Sequence, residues 1–359
     1  MNGYGNSVFL RTAWEISSGV PPVNTVAPAI TGTAQEGETV TCSTGTWTGT
    51  PTITYAYQWK RNGSNIGSAT NSTYVLVTAD VSQSITCQVT ATNGSGSASA
   101  TSNTITPIAA LDPDAQAFIT AAAITNPTQQ TAINTLVVDL KGYSIWTKMN
   151  ALYPFVGGTA STHKFNLKDP RDLDAAFRLT FSGGITHSSN GITPNGINGF
   201  ADTKLNYTTL NNGHQTLYSR SDITESGVRF DMGAFNGGVT YQLLSLSKSI
   251  SLFIGGFNSE SQPRATLTNS SGFFVNNRTA SNAANLWRNG IKLIQSTTAV
   301  SAIPNLTNYI GVVNSAGIGL NYAGKNYAFA SIGNGLTDTE VANFYTAVQA
   351  FQTTLGRQV

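Results

Sequence analysis

The stretch Gln83-Ser-Ile-Thr-Cys-Gln-Val-Thr-Ala91 alternates polar and apolar residues, and two earlier stretches share this pattern, Glu38-Thr-Val-Thr-Cys-Ser43 and Tyr55-Ala-Tyr-Gln-Trp-Lys60. Such alternation predicts β-strands with one buried face. The dipeptides Asn62-Gly63 and Asn93-Gly94 favour tight turns, because Asn and Gly both accept positive φ angles. We therefore predict several short strands joined by tight turns, as in a β-sandwich.

Cys42, Trp59 and Cys87 fall within these three stretches, in that order. This is the immunoglobulin arrangement, in which strands B and F place two cysteines face to face and a strand-C tryptophan packs on them. The segment resembles the Ig-like repeats of bacterial and phage proteins over about eighty residues, on the order of one small sandwich domain. It departs from antibody domains at Ile85, where those domains carry a conserved tyrosine. Further marks of the resemblance are Ile30-Thr-Gly-Thr33, Gly45-Thr-Trp-Thr-Gly49, Tyr57-Gln-Trp59, Tyr74-Val-Leu76 and Val89-Thr-Ala91.

The Ig resemblance implies that Cys42 and Cys87 face each other in the core, with Trp59 packed beside them. A disulfide at this position would stabilise the domain by about 2 to 4 kcal/mol. Synthesis in a reducing cytoplasm favours free thiols instead. We expect a buried pair that folds reduced and is able to oxidise after release.

The composition supports a β-rich chain. Charged residues make up 10% of the 359 residues, against roughly 25% in ordinary soluble domains. The chain has 35 glycines, and its net charge of +2 gives no sign of a nucleic-acid partner. No apolar stretch approaches the roughly 18 residues that cross a bilayer, so we expect no membrane insertion.

The first residues lack a basic segment followed by a long apolar one, so the sequence predicts no Sec signal peptide. They end at a linker, Ser17-Ser-Gly-Val-Pro-Pro22. We predict that residues 1–22 form an anchoring segment and linker, which docks onto a larger assembly by adding a strand to a sheet edge. The alternative is that this segment simply completes the first domain. The predicted docking residues are Val8, Phe9, Leu10, Trp14 and Ile16.

Residues 109–156 change to a helical pattern. Asp112-Pro113 and Asn126-Pro127 each combine an N-cap residue with proline at the first helical position. Behind the second cap, apolar residues recur at the i, i+3, i+4 and i+7 spacing of one helical face. We predict a short helical connector whose apolar stripe serves either as core or as a subunit contact. The stripe consists of Ile133, Leu136, Val137 and Leu140.

Residues 157–359 return to strand patterns. The run Asn285-Leu-Trp-Arg-Asn-Gly-Ile-Lys-Leu-Ile294 predicts a hairpin with Asn289-Gly290 at its tip. Thr337-Asp-Thr-Glu340 is a capping box, and the apolar residues behind it follow a helical period. We predict an antiparallel sheet fold that a C-terminal amphipathic helix closes.

The order of these elements resembles the concanavalin-like, laminin-G-like jelly roll. The resemblance is carried by Trp287-Arg-Asn-Gly290, Tyr309-Ile-Gly-Val-Val313, Tyr327-Ala-Phe-Ala-Ser-Ile332 and Leu336 to Glu340. From about Asp112 onward the chain also resembles the C-terminal region of structural proteins of tailed bacteriophages. That resemblance rests on Tyr153-Pro-Phe-Val-Gly-Gly158, Thr162-His-Lys-Phe-Asn-Leu167, Asn195-Gly-Ile-Asn-Gly-Phe-Ala-Asp202 and Phe344-Tyr-Thr-Ala-Val-Gln-Ala-Phe-Gln352.

The sequence gives no sign of catalysis. Jelly rolls that hydrolyse glycosides place paired carboxylates about 5 to 5.5 Å apart in the retaining class, and no Glu-x-Asp-x-Glu run is present to do so. The three histidines, His163, His187 and His214, lie among Ser, Thr, Asn and Gly and do not predict a triad. We therefore expect a non-enzymatic protein.

No cofactor is predicted, and no His or Cys pair has zinc spacing. Calcium is the one metal we consider, with Asp202 as a ligand, because lectin-like sandwiches bind it through Asp, Asn and backbone oxygens. Sugar binding needs an exposed aromatic ring surrounded by polar groups. The candidates with such neighbours are Phe257, Tyr207 and Trp287. The alternative for Trp287, which lies beside its hairpin, is a place in the core or at its flank.

Together these patterns predict a mainly β protein with an Ig-like sandwich over 23–108, a helical connector over 109–156 and a jelly roll over 157–359. We expect a homo-oligomeric phage virion protein that assembles in the host cytoplasm with other virion proteins. Its role would be head decoration or head fibre, with weak multivalent binding of host or mucosal glycans. Two alternatives remain, a tail fibre adhesin and a bacterial adhesin secreted by a non-Sec route, because a fold does not fix a function.

Overall fold

The computed structural model describes residues 19–207, 211–236, 241–259, 263–299 and 302–359, without the side chains of 250, 254 and 256–259. The chain divides into two compact units, Met1–Ala110 and Leu111–Val359. Within the described residues, no helix is both long enough and apolar enough to span a membrane.

The first unit is a β-sandwich. Its strands are β1 Val23–Val26, β2 Ile30–Thr31, β3 Thr39–Cys42, β4 Thr46–Thr48, β5 Thr54–Arg61, β6 Ser64–Asn65, β7 Thr73–Val75, β8 Ile85–Asn93 and β9 Gly96–Thr101. One sheet has the order β2-β3-β7, another has the order β6-β5-β8-β9, and β1 pairs with β4. A short 3-10 helix, Thr78–Asp80, lies between β7 and β8.

The core of this sandwich contains the predicted cysteines and tryptophan. Trp59 and Cys87 are cross-strand partners on β5 and β8, and Cys42 lies on β3 of the other sheet. All three side chains are buried. The Trp59 ring stacks on Tyr74, with centroids 5.4 Å apart, and its indole N–H donates to Asn71 O at 2.9 Å.

The second unit is also mainly β but includes four α-helices. The helices are α1 Pro113–Ala121, α2 Pro127–Gly142, α3 Ala160–His163 and α4 Asp338–Thr354. The strands are β10 Met149–Tyr153, β11 Thr180–Ser182, β12 Ile185–Ser188, β13 Gly191–Pro194, β14 Phe200–Asn206, β15 Gly213–Ser219, β16 Met232–Phe235, β17 Tyr241–Ser247, β18 Leu252–Ser259, β19 Arg264–Thr266, β20 Gly272–Ala280, β21 Ala283–Arg288, β22 Ile291–Ser296, β23 Thr307–Ile310, β24 Val313–Ser315, β25 Ile318–Leu320 and β26 Tyr327–Gly333. Short 3-10 helices occupy Trp146–Lys148, Asp174–Ala176 and Lys248–Ile250.

These strands form two antiparallel-dominated sheets that pack face to face. The helix-covered sheet has the order β12-β13-β26-β15-β20-β21-β22, with β10 also paired to β26. The outer sheet has the order β11-β14-β23-β16-β17-β18-β19, with β24 paired to β16 and to β25. One apolar core lies between the sheets, and includes Leu217 and Phe274 from the first and Leu244 and Phe253 from the second. The predicted jelly-roll type of fold is confirmed.

A second apolar core lies on the other face of the helix-covered sheet. Phe273 and Val275 of β20 point into it, whereas Phe274 points into the core between the sheets. Because successive side chains of a strand point to opposite faces, a strand buried on both faces reads as continuously apolar. This explains the run Tyr327-Ala-Phe-Ala-Ser-Ile332 in β26, all of which is buried.

The helical segment differs from the predicted separate connector over 109–156. Helix α2 packs against α1 and α4, and the predicted stripe, Ile133 to Leu140, is fully buried in the second core. Strand β10, which follows, pairs with β26 of the helix-covered sheet. The segment is therefore an integral layer of the second unit, and its stripe is core.

The hairpin and the C-terminal helix appear where the sequence predicts them. Strands β21 and β22 pair across Asn289 and Gly290, whose φ angles are 48° and 73°. Thr337 and Glu340 make both hydrogen bonds of the capping box at the start of α4. The N-caps Asp112 and Asn126 likewise accept backbone N–H groups of α1 and α2.

Candidate functional site

The predicted docking residues Val8, Phe9, Leu10, Trp14 and Ile16 lie outside the described residues. Phe257 lies in β18, where its backbone pairs with Gln242, but its side chain is not described. The predicted docking and the predicted role of Phe257 therefore stay predictions.

Asp202, the predicted calcium ligand, is engaged with Lys204. Its carboxylate accepts a hydrogen bond from Lys204 N at 2.9 Å and forms an ion pair with Lys204 Nζ at 2.9 Å. Within the described residues, no group of three or more His, Cys, Asp or Glu side chains is arranged to hold a metal ion. The calcium site stays a prediction, and the Lys204 ammonium already neutralises the Asp202 carboxylate that would bind the ion.

Tyr207 is not an exposed aromatic platform, so its predicted sugar contact is wrong. Its side chain is 2% exposed and belongs to the core between the sheets. The phenol O–H donates to the backbone oxygens of Asn212 and Gly333. Polar neighbours in the sequence indicated a loop, but the ring turns inward from the end of β14.

Trp287 is also buried, so its core alternative is confirmed and its sugar contact is wrong. Its side chain is 4% exposed and packs in the core beneath the helices. Lys292 Nζ lies 5.0 Å from the centre of the ring and forms an ion pair with Asp338 at 2.6 Å. The ring face is therefore covered by the chain's own lysine rather than open to a sugar.

The outer sheet presents a different pair of aromatic rings. Phe235 ends β16 and Tyr241 begins β17, and the two residues face each other across the antiparallel strands. Their rings stack with centroids 4.8 Å apart and planes inclined by 4°. Ala234 and Gln242 beside them are buried in the sandwich, so the alternation of the strands places both rings on the outer face. Both rings are half-buried.

These two rings line a cavity of about 270 Å³, which we call the aromatic cleft. Leu243 and Val313 are buried within it, Leu320 is 43% exposed, and Asn321 is exposed. The residues that line the cleft are Phe230, Phe235, Tyr241, Leu243, Val313, Leu320 and Asn321.

The strand pair β24 and β25 forms one wall of the cleft. Strand β24 runs parallel to β16 and pairs Val313 with Gly233, and it turns into β25 through Ala316 and Gly317, with φ angles of 52° and 89°. Gly233 has no room for a side chain, because a Cβ there would lie 2.1 Å from Gln242 O. A glycine at this position therefore lets the strands approach closely enough to hold the wall in place.

Glu225, Asp231 and Lys325 form a buried ion cluster. These residues are close in sequence to residues that line the cleft. Lys325 Nζ contacts Glu225 and lies 3.1 Å from Asp231 Oδ1. Tyr327 donates its phenol proton to the same Asp231 oxygen at 2.6 Å. Burial alone would lower the pKa of Lys325, but the carboxylates of Asp231 and Glu225 raise it above its usual value. Asp231 and Lys325 are fully buried, so this cluster is closed to a substrate.

His163 and His187 form a pair elsewhere in the unit. Gly158 N–H donates to His163 Nε2 at 3.2 Å, so the proton of His163 resides on Nδ1. That proton points at His187 Nδ1, which lies 3.0 Å away. Burial, together with the charges of His187 and Arg357, lowers the pKa of His163 to about 3. Burial also lowers the pKa of His187 below its usual value, so both histidines are neutral at pH 7.

Two other cavities, of about 360 Å³ each, lie elsewhere on the described surface. One is formed by a single segment of the first unit, residues 67–75, and its one aromatic ring, Tyr74, stacks on the buried Trp59 rather than on a second lining ring. The other includes Lys164 and Arg178, whose charges are satisfied by Asp172 and Asp174. The aromatic cleft differs from both because it combines stacked rings, apolar walls and an exposed amide, the features of a small-ligand site.

No protein-family model and no curated protein matches the sequence. Among solved structures, domain 4 of an extracellular GH43 arabinanase from Geobacillus stearothermophilus aligns at 14% identity and a TM-score of 0.38, over 55% of this chain and 98% of that domain. A mutant Trypanosoma rangeli sialidase aligns at 11% identity and a TM-score of 0.41, over 75% of this chain and 43% of its own length. The NanB sialidase from Streptococcus pneumoniae aligns at 15% identity and a TM-score of 0.34, over 45% of this chain and 27% of its own length. The chain thus spans less than half of either sialidase, and these low scores transfer no function to it.

Proposed function

We propose that this chain is a non-enzymatic glycan-binding protein, and that the aromatic cleft on its second unit is the binding site. The observation that carries the proposal is the stacked pair Phe235 and Tyr241 beside the exposed amide of Asn321. A sugar ring has one apolar C–H face and a rim of hydroxyl groups. An aromatic ring binds the apolar C–H face, and an amide, with two donors and an acceptor, binds the hydroxyl groups.

The size of the cleft favours weak binding of a small part of a glycan. Its volume of about 270 Å³ lies just below the roughly 300 to 1,000 Å³ of pockets that enclose drug-sized ligands. A site of this size would hold one sugar unit with its neighbours in solvent. Useful affinity would then come from many copies acting together, in agreement with the expected homo-oligomer.

The non-enzymatic part of the proposal is supported by the chemistry of the cleft. Among the described residues that line it, none is a carboxylate or a histidine. The nearest carboxylate along the chain, Asp231, is fully buried and engaged with Lys325 and Tyr327. General acid and base groups need to reach the substrate within hydrogen-bonding distance, and these do not.

The wider setting that we propose is the surface of a phage particle, as a head decoration or head fibre. Its support is the resemblance of Asp112 to Val359 to structural proteins of tailed bacteriophages, together with the Ig-like first unit. Immunogold labelling of particles with an antibody to this chain tests the setting. We expect label on the capsid. Label on the tail would favour the tail fibre alternative, and particles without label would contradict the virion role.

Substitution of Tyr241 with alanine is expected to weaken glycan binding about tenfold. The loss of one stacked aromatic contact costs about 0.5 to 1.5 kcal/mol, and the apolar area that is no longer buried brings the total to about 1.4 kcal/mol, a factor of ten in affinity. The measurement is a glycan array probed with multivalent full-length protein. The matched control is Tyr55→Ala, which removes a 40% exposed tyrosine of the first unit and should leave the array signals unchanged. Equal signals from Tyr241→Ala and the unsubstituted protein would exclude the cleft as the binding site.

A further inference from the structure

We infer that the aromatic cleft selects uncharged sugars and disfavours acidic ones such as uronic and sialic acids. This inference rests on the proposed glycan binding and adds the chemical class of the ligand. It follows from the charges in and around the cleft.

The described lining of the cleft contains no charged side chain. Its surface consists of three aliphatic side chains, two phenylalanine rings, one tyrosine phenol and one asparagine amide. The segment that joins the stacked residues in the sequence, Asn236-Gly-Gly-Val-Thr240, also has no charge. A sugar carboxylate in the cleft would therefore lose water without gaining a cationic partner, which is unfavourable.

Arg229, which directly precedes Phe230 in the chain, is not among the residues that line the cleft, and two lysines of this unit are committed to carboxylates. Lys325 follows Asn321 by four residues, but it is fully buried between Glu225 and Asp231. Lys204 on the outer sheet is paired with Asp202 at 2.9 Å. Neither ammonium is available to a bound anion.

Asn321 supplies the polar recognition that a neutral sugar needs. Its side chain is exposed and makes no hydrogen bond among the described residues. The amide of Asn314 nearby is used internally, as it donates to Thr307 O and accepts from Gly317 N, both at 2.8 Å. An amide offers both donors and an acceptor to hydroxyl groups, whereas selective binding of a carboxylate requires Arg or Lys.

The test compares matched neutral and acidic glycans on the full-length protein. The probes are polymer-linked glucose and glucuronic acid, galactose and galacturonic acid, and lactose and sialyllactose. For each pair whose neutral sugar binds, we expect the neutral sugar to bind about ten times more tightly than the acidic one at low salt. Equal or tighter binding of the acidic members, lost in Tyr241→Ala, would overturn the inference and leave glycan binding at the cleft intact. Binding of no probe would overturn the proposed function and the inference with it.

A charge placed on the rim distinguishes electrostatics from shape. Leu320→Lys adds a cation at a 43% exposed lining residue and should raise the affinity for acidic members about threefold at low ionic strength, an effect that salt removes. Ile318→Lys is the matched control, since Ile318 is 66% exposed on the same strand and does not line the cleft. An equal gain in both variants, or in neither, would contradict a local charge effect at the cleft.

Discussion

Substitution of Arg357 with methionine is expected to lower the free energy of unfolding of the second unit by about 3 to 5 kcal/mol, because several buried carbonyl groups lose their hydrogen-bond donor. The Arg357 side chain is 1% exposed. It donates to the backbone oxygens of Phe155 at 2.9 Å, Pro154 at 3.1 Å and Ala328 at 3.2 Å, and its Nε donates to Gln352 Oε1 at 2.9 Å. One side chain therefore ties the end of α4 to the chain after β10 and to β26.

The expected loss is large because the acceptors stay buried when the guanidinium is removed. Burial and the charge of Arg220 lower the pKa of Arg357 to about 9, so the group remains charged at neutral pH. Methionine fills much of the volume but supplies no donor, and each unsatisfied buried carbonyl costs about 1 to 3 kcal/mol. Calorimetry of the full chain measures the effect. The control Arg171→Met removes an exposed ion pair with Asp169 and should cost less than about 1 kcal/mol. A loss below about 1 kcal/mol in Arg357→Met would contradict this account of the C-terminal helix.

Acidification from pH 8 to pH 5 is expected to destabilise the second unit by about 4 kcal/mol. Burial lowers the pKa of His214 to about 4, partly offset by its hydrogen bond to Asn334 O, and the pKa of His163 is about 3. The unfolded value is about 6.5. Because both folded values lie below it, the unfolded chain binds protons first as the pH falls. The stabilisation by neutral histidine is therefore complete above about pH 7 and is lost progressively below it, by about 2 kcal/mol for each residue at pH 5.

The first unit is an internal control for this pH effect. All three histidines lie in the second unit, at 163, 187 and 214. Calorimetry at pH 8, 7, 6 and 5 should therefore show one transition that moves to lower temperature and one that stays almost constant. Ordinary carboxyl groups titrate near 4, so they contribute little in this window. Constant transition temperatures for both units, or equal shifts in both, would show that the buried histidines do not control acid stability.

The sequence predicted the elements that depend on local chemistry. The sequence around Cys42, Trp59 and Cys87 predicted the first sandwich, because the alternation of a strand and the residues of a tight turn are both visible in neighbouring positions. The hairpin at Asn289 and Gly290 and the start of α4 were predicted for the same reason. Each of these signals involves residues within a few positions of one another.

The sequence did not predict what depends on contacts between distant elements. The stripe on α2 showed an apolar face but not its partner, since α4 begins about two hundred residues later, and the helices therefore looked like a connector. Tyr207 stands among polar residues, which favour an exposed loop, but its ring turns into the core between the sheets. Whether an aromatic ring points inward or outward depends on strand register, which the sequence leaves open.

The aromatic cleft was missed for the same reason. Nothing in the sequence near Phe235 and Tyr241 indicates that their rings stack on the outer face. The signal that was present is the glycine pair between them, Gly237 and Gly238, which favours a hairpin. A hairpin centred there would have brought the two aromatic residues opposite each other. The wall from β24 and β25 depends on a distant pairing and had no local signal.

The most direct test of the central claim is a titration of the full-length protein with its best neutral glycan, repeated with Tyr241→Phe and Tyr241→Ala. The phenylalanine variant keeps the ring that stacks on Phe235, and the alanine variant removes it. We expect Tyr241→Phe to bind within about threefold of the unsubstituted protein and Tyr241→Ala to bind about ten times more weakly. Equal affinities for all three proteins would show that the glycan does not bind at the aromatic cleft.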